Sequence, residues 1–200
     1  MKKATLCVPA CLALGACSLL SPFRHEAPRA QAFDESREAI LVFGLTDRNA
    51  RVRLEAGEIK GERYRADWTN LYPVFYGGAD KGYVLVKVPA DKPIAITSVS
   101  MENGWTQFWS GGPFETCQGQ TVAVFQVPKG KVLYYSNFNF DSDGHTLLFR
   151  ATENFAGAQD YVDSHYPQLA GLLEPASFSK LTREDDCRKM PAKATETVSR

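Results

Sequence analysis

The stretch Ala39-Ile40-Leu41-Val42-Phe43-Gly44-Leu45 is a continuous apolar run. Its length and its lack of polar residues are typical of a strand that is buried on both faces. Two segments that follow, 51–55 and 63–68, instead alternate charged and apolar side chains. This period of two predicts strands with one face in the core and one in water. The side chains that we expect to face inward are Val52, Leu54, Tyr64, Ala66 and Trp68.

Two later segments share one order of parts: a strand, a turn that starts with proline, and a second strand. The first has its turn at Pro89–Lys92, and the second at Pro128–Lys131. Proline sets φ for the first central position of a turn, and Gly130 suits the positive φ of a hairpin bulge. The pattern therefore predicts two hairpins at equivalent places in two packed sheets.

The pattern becomes helical after Asn154, which is a good N-cap residue, and Pro167 ends this run. No helical period occurs between residues 39 and 150. We therefore predict a mainly β protein: an antiparallel β-sandwich of roughly seven to nine strands over residues 38–152. A short C-terminal helical segment, residues 153–187, would pack on the sandwich, and residues 188–200 would form a flexible tail.

The first residues have the organisation of an export signal. Lys2 and Lys3 precede a mostly apolar run, Ala4–Ala16, which is shorter than the roughly 20 residues of a membrane-spanning helix. The end of this run, Leu14-Gly15-Ala16-Cys17, resembles the lipobox of bacterial lipoproteins. This resemblance implies cleavage before Cys17 and acyl chains on Cys17. The alternative is an ordinary signal peptide in which Cys17 is incidental.

The same resemblance implies a location and a domain plan. Ser18 rather than aspartate follows the cysteine, which in lipoproteins of this type favours the outer membrane. We predict a signal peptide over residues 1–16 and a lipid-anchored tether over residues 17–37. The lipid on Cys17 would hold the protein in the cell envelope, at the outer membrane facing the periplasm. Within the tether, residues 18–33 would reach about 50 Å when fully extended.

Net charge selects no class of partner. Without Lys2 and Lys3 the 23 basic residues become 21, against 23 acidic ones, so the net charge is near −2. No basic stretch indicates nucleic acid, and we predict no nucleic-acid partner. We also predict no cofactor.

Two cysteines, Cys117 and Cys187, remain in the chain after cleavage and acylation. In an oxidising compartment thiols tend to pair, and we predict a disulfide between these two. Two free thiols or a metal pair are the alternatives. No other Cys or His lies within a few residues of either one, which argues against zinc.

The most aromatic passage gives the candidate binding residues. Trp105, Gln107 and Trp109 would project from the same face of a strand. Two indoles that flank an amide are a suitable platform for a sugar ring or a protein hot spot. The alternative is that this face packs into the core and Phe108 lies outside.

Catalytic signals are sparse. The Asp141–His145 turn brings two carboxylates and His145 together, but it lacks the spacing of a calcium loop and is also ordinary turn chemistry. His165 lies on the predicted helix, where a half-buried packing role is the simpler interpretation. We therefore predict no catalytic residues and no metal site. A hydrolase or metal-dependent enzyme of the envelope that uses His145 or His165 is the alternative.

Beyond the lipobox, the chain has a β-rich body, then a helix that ends near Tyr166-Pro167 and a late cysteine. This order resembles bacterial lipoproteins of uncharacterised function. The resemblance implies no catalytic residues. We expect a membrane-anchored, non-enzymatic binding or structural module, whose partner would be another envelope protein or peptidoglycan.

Overall fold

A computed structural model describes residues 34–67, 73–101, 114–142 and 147–186. The described chain is mainly β, with one α-helix, so the predicted class is confirmed. The strands are β1 (Glu38–Leu45), β2 (Ala50–Lys60), β3 (Arg63–Ala66), β4 (Phe75–Gly78), β5 (Tyr83–Pro89), β6 (Pro93–Met101), β7 (Phe114–Glu115), β8 (Thr121–Gln126), β9 (Val132–Ser142), β10 (Leu147–Thr152), β11 (Leu173–Pro175) and β12 (Ser179–Arg183).

The first sheet has the order β10–β9–β1–β5, and β11 also pairs with β9. The apolar run of the sequence forms β1, at the middle of this sheet. It pairs antiparallel with β5 and parallel with β9. Residues Ala39 to Phe43 are fully buried, so the prediction of a strand covered on both faces is confirmed.

The second sheet, which we call the barrel sheet, has the order β4–β2–β3–β12–β8–β6–β7. Strand β2 also pairs with β6 along residues 50–56, while residues 57–60 pair with β3. The ring β2–β3–β12–β8–β6 therefore closes on itself as a small barrel. Strand β12 joins this ring by parallel pairing with β3 and antiparallel pairing with β8.

Apolar side chains form three layers. The main core lies between the two sheets, where Phe43 stacks on Phe125 with ring centroids 5.8 Å apart. The other face of the first sheet is covered by the helix, whose Tyr161 and Val162 pack on Ile40 and Val42. A third cluster fills the barrel; its buried members are Tyr64, Ala66, Ala95, Val122 and Val124.

The antiparallel sandwich is not confirmed in detail. Both sheets are mixed, because β1–β9, β11–β9 and β12–β3 are parallel pairs. The prediction of two hairpins is wrong. Strands β5 and β9 belong to the first sheet and β6 and β8 to the barrel sheet, so each proline turn carries the chain from one sheet to the other. The turns nevertheless meet, since Asp91 N donates to Val127 O at 3.1 Å.

Helix α1 (Phe155–His165) confirms the predicted helix and its cap, because the Asn154 side chain accepts from Gly157 N. Pro167 begins a short 3₁₀ helix, Pro167–Leu169. Residues 153–187, predicted to be a helical segment, also contain β11 and β12. These short strands lack a clear apolar alternation. Within the described ranges no helix has the length and apolar character needed to cross a membrane.

Candidate functional site

Strand β2 carries polar side chains along the face that lines the barrel. Arg51, Arg53 and Glu55 alternate with Val52 and Leu54, which lie in the core between the sheets. The polar residues therefore point away from the first sheet. The Glu55 side chain is 9% exposed and the Arg53 side chain 21%. The polar face thus runs from the barrel interior toward the barrel mouth.

A buried guanidinium closes the barrel beneath these residues. Arg183, on β12, is 2% exposed. Its Nη1 donates to the Thr116 carbonyl oxygen at 2.6 Å, and its Nε and Nη2 donate to Asp185 Oδ2 at 3.0 and 2.7 Å. Glu55 Oε2 lies 3.8 Å from Nη2. We call Arg183, Asp185, Thr116 and Glu55 the Arg183 network.

Tyr64 connects this network to the apolar interior. Its hydroxyl donates to the Glu55 carbonyl oxygen at 2.7 Å. Burial, and secondly the negative charge of Glu55, raise the pKa of Tyr64. Gly57 makes room for the Tyr64 ring, because a Cβ at Gly57 would lie 2.7 Å from the Tyr64 hydroxyl and 2.2 Å from the Arg65 carbonyl oxygen.

Arg53 is paired on one side only. Its Nε lies 3.0 Å from Glu55 Oε1 and forms an ion pair with it. The geometry of this contact does not make a hydrogen bond, so the buried Nε has no hydrogen-bond partner in the part of the chain that the structure describes. The terminal nitrogens of Arg53 have no ion-pair or hydrogen-bond partner among the described residues and are accessible to solvent. A guanidinium with its outer edge accessible is able to bind a carboxylate or phosphate through two parallel hydrogen bonds.

The neighbours of Arg53 and Arg51 across the sheet are small or hydroxylated. Arg53 is opposite Tyr76 on β4 and Ser98 on β6, and Arg51 is opposite Gly78 and Ser100. The hydroxyls of Tyr76 and Ser100 are hydrogen-bonded to each other at 3.2 Å. We call this set of residues the polar strip: Arg51, Arg53, Tyr76, Ser98 and Ser100, of which Ser98 is buried. The alternation in the sequence predicted that the charges of β2 face water, and it gave no signal of the strip.

Most of the predicted site residues lie outside the described residues. These are Cys17, Trp105, Gln107, Trp109, His145 and Cys187. Trp105 to Trp109 belong to the connection between β6 and β7. That connection leaves β6 at Met101, directly after Ser100 of the polar strip. The exposure of the two indoles therefore stays a prediction.

Cys117 is disulfide-bonded. It is the only cysteine in the described ranges, so the predicted pairing with Cys187 stays a prediction. Its turn lies against the C-terminal segment: Gly119 N donates to Arg183 O at 2.9 Å, and Arg183 N donates to Gln120 O at 2.8 Å. The chain at Arg183 is therefore hydrogen-bonded to the turn that contains Cys117, and Cys187 follows Arg183 by only a few residues.

His165, the other histidine of the enzyme alternative, is described and exposed. Its ring stacks on Tyr161, with centroids 4.9 Å apart, and Lys81 Nζ lies 2.5 Å from its Nε2. Its Nδ1 lies 2.9 Å from the Tyr161 carbonyl oxygen, so Nδ1 donates and Nε2 accepts from lysine. Both ring nitrogens are therefore used within the chain: Nδ1 bonds a carbonyl oxygen of α1, and Nε2 links the end of α1 to Lys81 in the β4–β5 turn. Within the described ranges, no three His, Cys, Asp or Glu side chains group closely enough to hold a metal ion.

Comparison with curated proteins finds a phosphopentomutase of Shewanella frigidimarina that is 27% identical to this chain over 92 residues. The match covers 46% of this chain, and the chain spans only 22% of that relative's length. No protein-family model matches the chain, and no solved structure does. These comparisons assign the chain to no family.

Proposed function

We propose that this protein is a lipoprotein of the cell envelope, anchored through Cys17 at the outer membrane, and that it is a non-enzymatic module that binds another envelope component. The observation that carries the proposal is Leu14–Cys17 at the end of an apolar segment that is too short to span a bilayer. A cysteine that carries more than one acyl chain anchors a protein stably to a membrane.

The start of the body supports the role of residues 17–37 as a connection to the membrane. Asp34 accepts from Ser36 N, from the Ser36 hydroxyl and from Arg37 Nε, at 3.0, 2.5 and 2.7 Å. The next residues join both proline turns, because Ala90 N donates to Arg37 O and Gly130 N donates to Glu38 O. A force transmitted through the tether would therefore act where the chain is hydrogen-bonded to both proline turns.

The scaffold suits a binding module. We infer that the two sheets act as a sandwich-type support, in which antiparallel pairs outnumber parallel ones and share one apolar core. Such a support holds the barrel mouth rigid, and mouths of β-barrels are frequent binding sites. The polar strip supplies charge there, and the sequence that follows β6 contains the predicted aromatic platform, Trp105, Gln107 and Trp109.

The test is cross-linking and pull-down from membranes with wild type and with a Trp105→Ala/Trp109→Ala variant. We expect wild type to recover an envelope partner and the double variant to lose it while keeping its circular dichroism spectrum. If the folded double variant recovers the same partner, the indoles have no part in binding. If wild type recovers no protein and peptidoglycan alone sediments it, the protein-partner version fails.

An envelope enzyme that uses His145 or His165 is the second candidate. The observation that favours it is the partial match to a protein named phosphopentomutase. Against it, both ring nitrogens of His165 have partners within the chain. Loss of a measurable activity of the mature protein in His145→Ala or His165→Ala, with the fold retained, would establish the enzyme. Absence of turnover by wild type against ester, phosphoester and glycoside substrates, with and without added divalent metal, would refute it.

A further inference from the structure

The polar strip has the chemistry of a site for an acidic sugar. We infer that it binds a saccharide that carries a carboxylate or phosphate group, with Arg53 as the residue that holds the charge. The inference rests on the proposed binding function and names the chemistry of its ligand.

The first step concerns charge. The Arg183 network uses two carboxylates, Asp185 and Glu55, and Glu55 lies between Arg183 and Arg53. Glu55 therefore neutralises Arg53 only in part. Glu115 faces the same row from β7, opposite Ser98, and it makes no ion pair with Arg53 among the described residues. The outer edge of Arg53 is left to attract an anion from outside the chain.

The second step concerns geometry. The terminal nitrogens of Arg53 are accessible, while its Nε is buried beside Glu55. The ion pair holds the guanidinium in place, which lowers the entropy lost when a ligand binds. A planar guanidinium presents two parallel N–H groups, and this fork matches the two oxygens of a carboxylate or phosphate better than lysine does.

The third step concerns the body of the ligand. Arg53 lies opposite Tyr76, which is 36% exposed, and opposite Ser98 on β6, which is buried; Ser100, two residues along β6, is half-buried. In the Tyr76–Ser100 pair one hydroxyl donates to the other, so one hydroxyl proton is left for a ligand. Gly78 places no side chain opposite Arg51. A floor of small and hydroxylated residues beside one aromatic ring suits a sugar ring, whereas a protein partner would require an apolar centre.

The ligand's charged group has two possible sources, a sugar carboxylate or a sugar phosphate. The experiment measures binding to the full mature protein by isothermal titration with three probes: N-acetylmuramic acid, N-acetylglucosamine 6-phosphate and, as neutral control, N-acetylglucosamine. We expect one or both charged sugars to bind and the neutral sugar to bind at least about tenfold more weakly. Added salt should weaken binding of the charged probes.

The variants assign the site. Arg53→Gln should weaken binding of the charged sugar at least about tenfold, and Arg53→Lys should retain part of the affinity because it keeps the charge. Arg150→Gln is the matched control, since Arg150 is exposed on β10 of the first sheet. If Arg53→Gln fails to fold, a Tyr76→Phe/Ser100→Ala variant replaces it, with weaker binding expected.

Three results would overturn the inference: no saturable binding of either charged probe, equal binding of the neutral sugar, or unchanged affinity in the folded Arg53 variant. These outcomes are separate from those of the proposed function. A membrane-anchored protein that recovers a partner but binds no acidic sugar would refute the saccharide site alone. A protein that binds the sugar but is neither lipidated nor membrane-associated would refute the lipoprotein proposal alone.

Discussion

Two nitrogens of Arg183, Nε and Nη2, donate to the same oxygen of Asp185, at 3.0 and 2.7 Å. The other oxygen of Asp185 accepts from Ala66 N on β3 at 3.0 Å. The pair thus ties β12 to β3 across a parallel seam that has only two matched residue pairs, Thr182 with Arg63 and Arg183 with Tyr64. The barrel is closed by a buried ion pair at its shortest seam.

Replacing Arg183 by alanine should therefore destabilise the protein strongly. The change leaves two largely buried carboxylates, Asp185 and Glu55, without their shared cation, which costs about 3–5 kcal/mol. Urea unfolding measures the free energy of unfolding. Arg150→Ala, at an exposed position, should change it by less than about 0.5 kcal/mol. A loss in Arg183→Ala as small as that of the control would show that the ion pair does not hold the barrel closed.

Alkaline pH should destabilise the fold through its buried tyrosines. Burial raises the pKa of Tyr64 and of Tyr135 above the ordinary value near 10. A raised pKa in the folded state gives stability that is complete below pH ~10 and is lost as pH rises above it, because the unfolded state loses its protons first. Urea unfolding between pH 7 and 11 should show this loss.

Tyr64→Phe separates the hydrogen bond from the titration. At pH 7 the variant should be about 1–2 kcal/mol less stable, since the buried Glu55 carbonyl oxygen loses its donor. Above pH 10 its stability should fall less steeply with pH than that of wild type. Parallel pH curves for wild type and variant would contradict the assigned role of Tyr64.

The turn at Asp34 should be visible in an acid titration. Hydrogen bonds from the Ser36 hydroxyl and then from Arg37 and Ser36 N lower the pKa of Asp34 to about 2. The contribution of this carboxylate to stability is present above the ordinary aspartate value and is lost as pH falls toward 2. NMR of the side-chain carboxyl carbon should give this value in wild type, a higher one in Ser36→Ala and an unchanged one in Ser179→Ala. An ordinary aspartate value in wild type would show that the turn does not form.

The disulfide of Cys117 should link it to Cys187. Mass spectrometry of non-reduced peptides should find this pair, and reduction should lower the free energy of unfolding by roughly 4 kcal/mol in the chain-entropy model, for a loop of about 70 residues. In Cys187→Ser the Cys117 thiol should react with a thiol reagent under denaturing conditions. Two free thiols in the oxidised wild-type protein would refute the link.

Local signals in the sequence were enough for the elements that depend on near neighbours. The apolar run from Ala39 predicted β1, and Asn154 and Pro167 predicted both ends of α1, because burial period and capping act within a few residues. The positions of the two proline turns were predicted, but the sequence did not show that each turn joins two different sheets. Which sheet a strand enters depends on partners elsewhere in the chain.

The barrel and its polar interior could not be predicted from the sequence for the same reason. Asp185 meets Ala66 across 119 positions, and β12 buries only Arg183 fully, so no apolar alternation marks it as a strand. Arg53 looked like one of several solvated charges in an alternating strand. Arg53 is a candidate binding residue because its partner Glu55 also forms an ion pair with Arg183. These three side chains come together only when the barrel closes.

Fractionation of cells that express wild type or Cys17→Ala tests the membrane-anchored lipoprotein most directly. Wild type should sediment with the outer membrane, and the Cys17→Ala protein should be released into a soluble fraction. Unchanged membrane association of the Cys17→Ala protein would contradict the lipid anchor, and with it the proposed role in the envelope.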